Sequence, residues 1–135
     1  MTEQTQPPER PNVALVRSIY DAFARRDIPT VLALFADDIA IDQSREVPWG
    51  GSYRGREEAM QFFAGLIQHI TSKVALERFI DAGTDVVAIG RTQGTVNASG
   101  RAFDVPVAHL WHLREGKVQR IHFCIDNPTM RAALS

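Results

Sequence analysis

A single imidazole inside an apolar run is the residue of this chain best suited to chemistry. In FDVPVAHLWHL, Phe103 to Leu113, the odd positions are Phe103, Val105, Val107, His109, Trp111 and Leu113. Successive side chains of a strand point to opposite faces, so these six share one face. An imidazole of ordinary pKa, near 6.5, exchanges protons around neutral pH. As a positioned general acid or base it would contribute about 10²–10⁴ in rate. The same residue among apolar neighbours can equally be a hydrogen-bonded part of a pocket wall, and both readings stay open. Catalysis requires a second polar group on one ring nitrogen, and Asp42 and Tyr20 are the candidates.

Tyr20 falls on an apolar helical stripe, where an enclosed hydroxyl must find a ligand oxygen or a neighbouring side chain. Asp42 follows Ile39 and Ile41 with the opposite parity, so it meets a pocket only if a bulge or loop re-aims it. Asp37 and Asp38 read as helix-stop and turn residues. Trp49, between Pro48 and Gly50-Gly51, is a large apolar group suited to capping a cavity mouth, and Tyr53 shares its loop. Trp111, Phe103, Val107, Phe63 and Phe123 are candidates to line the pocket. Arg91 and Gln93 would enter it only if the odd face of their strand is the inner one. Cys124 is the only cysteine, and no Cys/His cluster has metal-ligand spacing. Neither a phosphate-binding glycine loop nor a nucleophile elbow occurs, so no metal and no cofactor is expected.

The elements that must carry these residues are legible from periodicity. Asn12 caps a predicted helix over Val13 to Arg25, with Val13, Val16, Ile19, Tyr20 and Phe23 on one stripe. Asp27 caps a second, short helix that buries Val31, Leu32, Leu34 and Phe35. Ile39 to Asp42 begins an extended segment, and Gln43 to Gly55 reads as a loop. Arg56 to Ile70 has the clearest helical stripe, through Ala59, Phe62, Phe63, Leu66, Ile67 and Ile70. From Ser72 the period becomes two. Strands are predicted at Val74 to Ala82, Asp85 to Ala98, Arg101 to Arg114 and Lys117 to Asp126, with Gly83-Thr84, Ser99-Gly100 and Glu115-Gly116 at the turns. Asn127-Pro128 starts a terminal helix. Helices followed by an antiparallel meander make an α+β layout, with alternating strands covered on one face.

The 135 residues are enough for one domain with a core. A net charge of -1 provides no basic footprint for nucleic acid. The polar, Pro-rich start, residues 1–11, reads as a flexible tail before a single domain over 12–135. No apolar run is long enough to cross a membrane, and one lone thiol fits a reducing cytoplasm.

Several stretches together resemble the ketosteroid isomerase-like and SnoaL-like polyketide cyclase branch of the nuclear transport factor 2-like superfamily. They are the first helix leading into Arg26-Asp27-Ile28, the FADD of Phe35 to Asp38, Tyr53-Arg54-Gly55-Arg56-Glu57, and the hairpin HLWHLREGKVQRIHF. The resemblance spans about residues 12 to 130. It implies a cystatin-like cone, a curved, mostly antiparallel sheet wrapped around three N-terminal helices with an internal pocket. Such folds host isomerases, cyclases, dehydratases, epoxide hydrolases and non-catalytic binders. An ungapped match places Gln43 at the isomerase base, Ile19 at its helical tyrosine with Tyr20 one residue off, and His109 at its oxyanion-hole acid. Val107 and His109 occupy the sites of the epoxide hydrolase Arg and Asp, which argues against that chemistry. The resemblance therefore implies a small cofactor-free protein for an apolar, carbonyl-bearing molecule of polyketide, terpenoid or steroid type. Its chemistry would be isomerisation, aldol-type cyclisation or dehydration, and the alternative is a non-catalytic binding or accessory module. A homodimer through the sheet is expected, with no nucleic-acid or membrane partner.

Overall fold

The first helix is held by its buried stripe. In the computed structural model, which describes residues 10–135, α1 (Pro11–Ala24) buries Val13, Val16, Ile19 and Ala22. Of the predicted tail, residues 1–9 lie outside the described residues, and Pro11 already opens the helix. Asn12 is not the cap; Arg10 is, without a side-chain bond, and Asn12 Nδ2 instead donates to Gly83 O at 2.9 Å. That bond ties the helix to the turn between two strands. Arg26 then adopts φ 58° and donates to Ser72 O at 2.9 Å. Asp27 caps α2 (Ile28–Ala33) as predicted, accepting from Thr30 N at 3.3 Å and Thr30 Oγ1 at 2.6 Å.

The extended segment is longer than its apolar residues suggest. β1 runs Phe35–Gln43, so Asp37 and Asp38 are strand residues with exposed side chains, and Arg56 pairs with Asp37 at 2.8 Å. The predicted 43–55 loop contains β2 (Gly51–Arg54), antiparallel to β1, with Tyr53 opposite Ile41. After α3 (Gly55–His69) come β3 (Ile70–Ala82), β4 (Asp85–Val96), β5 (Ala102–Arg114), β6 (Lys117–Ile125) and α4 (Asn127–Leu134). The strand order is β2-β1-β6-β5-β4-β3. Among the described residues only the β1–β6 pair is parallel.

This α+β sheet curves around the three N-terminal helices as a cone, and its strong bend has a local cause. β3 bulges between Leu76 and Arg78. Opposite it, Gly90 and Gly94 lie on the inner face of β4, and a Cβ at either would collide with the carbonyl of Ala75 or Thr71. Only glycine permits that approach of backbone to backbone. The inner face of β4 is therefore the even one, carrying Val86, Ala88 and Thr92. Arg91 and Gln93 face outward, where both hold Asp104, at 2.6 and 3.2 Å. On β5 all six odd residues from Phe103 to Leu113 are buried, as the alternation predicts. Phe35, Phe62, Ile39 and Ile41 fill the space between sheet and helices. Each such side chain contributes about 1.5–3 kcal/mol by leaving water.

Candidate functional site

The register of three strands decides which polar groups meet under the helices. On β5, His109 stands opposite Ala88 of β4 and Phe123 of β6. Trp111 follows two residues on, along the same face. That spacing is about 7 Å, so one hydroxyl brought in from a helix can touch both side chains. Tyr20 of α1 supplies it: Trp111 Nε1–H donates to Tyr20 Oη at 3.1 Å, and Tyr20 Oη lies 2.6 Å from His109 Nδ1. The tyrosine and imidazole planes are within 7° of parallel, and Trp111 meets the tyrosine edge-on.

The direction of this chain follows from what each group can do. Indole N–H only donates, so it occupies a lone pair of the Tyr20 oxygen. The phenolic proton then has one acceptor among the described residues, His109 Nδ1. Reversing that bond would strand the proton in an enclosed place. The ordered sequence is Trp111 to Tyr20 to His109, each bond polarising the next. It leaves His109 with its hydrogen on Nε2 and its basic lone pair engaged at Nδ1.

Burial also removes the imidazole's ordinary titration. His109 is only 6% exposed, and loss of solvent pushes its pKa down from 6.5 to about 3. Burial drives the Tyr20 phenol upward, opposed in part by the Trp111 hydrogen bond. Both groups are neutral across the physiological range.

A cavity of about 80 Å³ lies beside them, with His109, Tyr20, Trp111, Phe123 and Val107 in its wall. Trp49 and Phe63 also line it. Trp49 is packed down, only 3% exposed, as part of the cavity wall. Phe103 and Tyr53 are not in the wall. Phe103 is core, and Tyr53 packs edge-on against Phe62 while donating to Trp49 O at 3.0 Å. Asp42 is not brought to His109. The irregularity of β1 lies earlier, between Phe35 and Ala40, and does not re-aim it: Asp42 stands opposite His122 on the outer face, accepts from Ser52 Oγ at 2.7 Å and lies 3.6 Å from Arg54. The His-Asp pairing that a dehydratase reading needs is therefore not assembled.

Of the lining residues given no pocket role by their sequence setting, three are polar: Gln43, Ser72 and Thr92. Gln43 and Thr92 are each 8% exposed, and neither side chain has a hydrogen bond to a described residue. The parity of Gln43 with Ile39 and Ile41 was the available signal. For Thr92 it was the even spacing from Val86 and Ala88. No described lining residue is Asp, Glu, Lys or Arg. Among the described residues no three His, Cys, Asp or Glu side chains come close enough to hold a metal ion, and no helix is long and apolar enough to cross a membrane.

A cone of this topology with an apolar pocket is the nuclear transport factor 2-like architecture. Within it the chain belongs to the family of the SnoaL-like domain, whose model matches residues 16–121. Among solved structures it is similar to an NTF2-like protein of unknown function from Burkholderia pseudomallei, with 27% identity, 94% of this chain and 99% of that chain covered, and a TM-score of 0.88. TerC co-crystallised with polyporic acid shares the fold at 22% identity, 93% and 98% coverage and a TM-score of 0.85. So does a candidate SnoaL-like polyketide cyclase from a Jannaschia species, at 23% identity, 99% and 98% coverage and a TM-score of 0.81. No curated protein sequence matches the chain.

Proposed function

We propose that the cavity binds a neutral, largely apolar small molecule by its carbonyl group, with the carbonyl oxygen on His109 Nε2–H. The observation that carries this reading is the Trp111–Tyr20–His109 chain, which favours a neutral imidazole able to donate at a largely apolar wall. A preorganised donor in such a site gains strength as negative charge develops on oxygen. A neutral imidazole can polarise a carbonyl in this way. The reactions it would assist are enolisation-type isomerisation, aldol-type cyclisation and dehydration, the last without an Asp42 partner. TerC and the cyclase-like neighbour support small-molecule chemistry on this fold.

Size narrows the ligand. A cavity of about 80 Å³ is roughly half the ~150 Å³ that accommodates benzene in a protein interior. A single ring enters only if flexible walls such as Met130 and Leu66 shift, and a steroid would need a far larger opening. A second reading, binding without turnover, is favoured by one feature: no described lining side chain is a charged base at neutral pH. The outer face of the sheet, with Leu110 at 43% exposure, would form the homodimer; Leu110→Glu should then give a monomer in sedimentation. A cytoplasmic setting also belongs to this reading, resting on the single thiol of Cys124.

The test uses carbonyl-labelled acetophenone. Bound to the protein, its carbonyl stretch should fall below that in an apolar solvent, and His109→Leu should abolish the fall while binding persists. Accelerated exchange of its α-hydrogens in deuterated water identifies turnover chemistry, whereas binding without exchange supports the second reading. An unshifted carbonyl in the wild-type protein would refute the assignment of His109.

A further inference from the structure

We propose that Gln43 selects the ligand, restricting the cavity to neutral molecules that carry a second hydrogen-bonding group, a hydroxyl or enol, opposite the carbonyl. This inference rests on the carbonyl-binding reading of His109 and adds a second anchor to it.

Gln43 ends β1, with its Cα opposite Phe123 of β6 and Gly51 of β2. His109 stands opposite Phe123 from the other side. The two polar residues thus flank one aromatic residue on the same sheet face, two strand spacings or about 10 Å apart at the backbone. Both line the cavity. Gln43 is 8% exposed as a residue, and its carboxamide bonds to no described residue without being sealed in. A carboxamide has two donor hydrogens and an accepting oxygen, and leaving them unpaired in a largely apolar wall is unfavourable. The neighbouring polar groups of the same strand pair are satisfied: Asp42 and Ser52, on the outer face, hold each other at 2.7 Å. Leucine or methionine would fill the position of Gln43 without that cost. An amide retained here has its use in a bound partner.

The absence of charged residues from the described wall sets the charge of that partner. A carboxylate or an ammonium group would be buried without a counter-ion and is rejected. A hydroxyl suits the amide, since it can donate to the carboxamide oxygen and accept from the nitrogen. The ligand class is a compact hydroxy-ketone or its enol, with the apolar body against Phe123 and Phe62.

The experiment compares acetophenone, 4-hydroxyacetophenone and 4-acetylbenzoate on wild-type protein, Gln43→Leu and Gln43→Met by calorimetric titration at pH 6.5. Wild-type protein should bind the hydroxy-ketone about tenfold more tightly than acetophenone and should exclude the benzoate. Both variants should lose that preference while binding acetophenone at least as well. Without ligand they should melt at or above the wild-type temperature, because an unpartnered amide has gone. If the tenfold preference persists in the variants, or if both variants melt well below wild type, Gln43 is structural and the inference falls. Failure of both ketones to bind the wild-type protein would instead overturn the carbonyl-site reading itself.

Discussion

Tyr20→Phe removes one oxygen atom and leaves two nitrogen atoms without partners. The ring remains, so its contacts with His109, Trp111 and Phe79 are largely kept. Trp111 Nε1–H and His109 Nδ1 each lose their only hydrogen bond to a described residue. An unmet buried polar group costs about 1–3 kcal/mol. Removing the tyrosine's own buried hydroxyl returns about 1 kcal/mol of desolvation. The expected net loss is about 1–5 kcal/mol, a large share of the roughly 5–15 kcal/mol that holds a domain together. Urea unfolding followed by tryptophan fluorescence measures it, with an unchanged slope marking a true change in stability. Trp111→Phe and the double variant complete a cycle, in which the two losses should be less than additive by about 1 kcal/mol. A loss below about 0.5 kcal/mol for Tyr20→Phe, with no coupling to Trp111, would refute the hydrogen-bonded chain.

Acid should weaken the fold through His109. Its pKa is about 3 in the native protein and near 6.5 when exposed, so the unfolded chain holds more protons between those values. The stabilisation is complete above about pH 6.5 and declines as the pH falls toward 3, by at most about 5 kcal/mol. His109→Leu should flatten this part of the stability–pH curve, and an unaltered slope would contradict the burial argument. Gly94→Ala should destabilise by about 2–4 kcal/mol, because its Cβ meets the Thr71 carbonyl. Gly65→Ala on α3, where the nearest atom is Trp49 Cβ at 3.8 Å, should stabilise by about 0.5–1 kcal/mol. Thermal melts of the pair separate a glycine required by close packing from one that is merely tolerated.

The fold was legible wherever burial wrote a period into the sequence. Alternation on β5 identified the inner face residue by residue, and the stripe on α1 put Tyr20 where it could reach it. The same rule failed where neither face is clearly apolar. Asp37 and Asp38 looked like a helix stop because their side chains are solvated, yet they lie within β1, in the irregularity between Phe35 and Ala40. β2 is four residues long and starts at a glycine, which leaves too little pattern to distinguish it from a loop. In the site, the parity of Asp42 argued against a pocket role, and its outward placement beside Ser52 follows that parity. The titration of His109 could not be read from residue type. Its ordinary pKa belongs to a solvated ring, and only the packed surroundings remove the solvent. Gln43 was read as the start of a loop, though the resemblance put it at the isomerase base, and its unpaired amide depends on every neighbour that fails to reach it.

The central claim is that His109 is a neutral donor with its hydrogen on Nε2. Nitrogen-15 spectra of the imidazole, recorded from pH 4 to pH 8, test it most directly. The Trp111–Tyr20–His109 chain requires the Nε2–H tautomer throughout, with Nδ1 shifted by the Tyr20 hydrogen bond and no titration in this interval. A midpoint near 6.5, or a hydrogen on Nδ1, would contradict it.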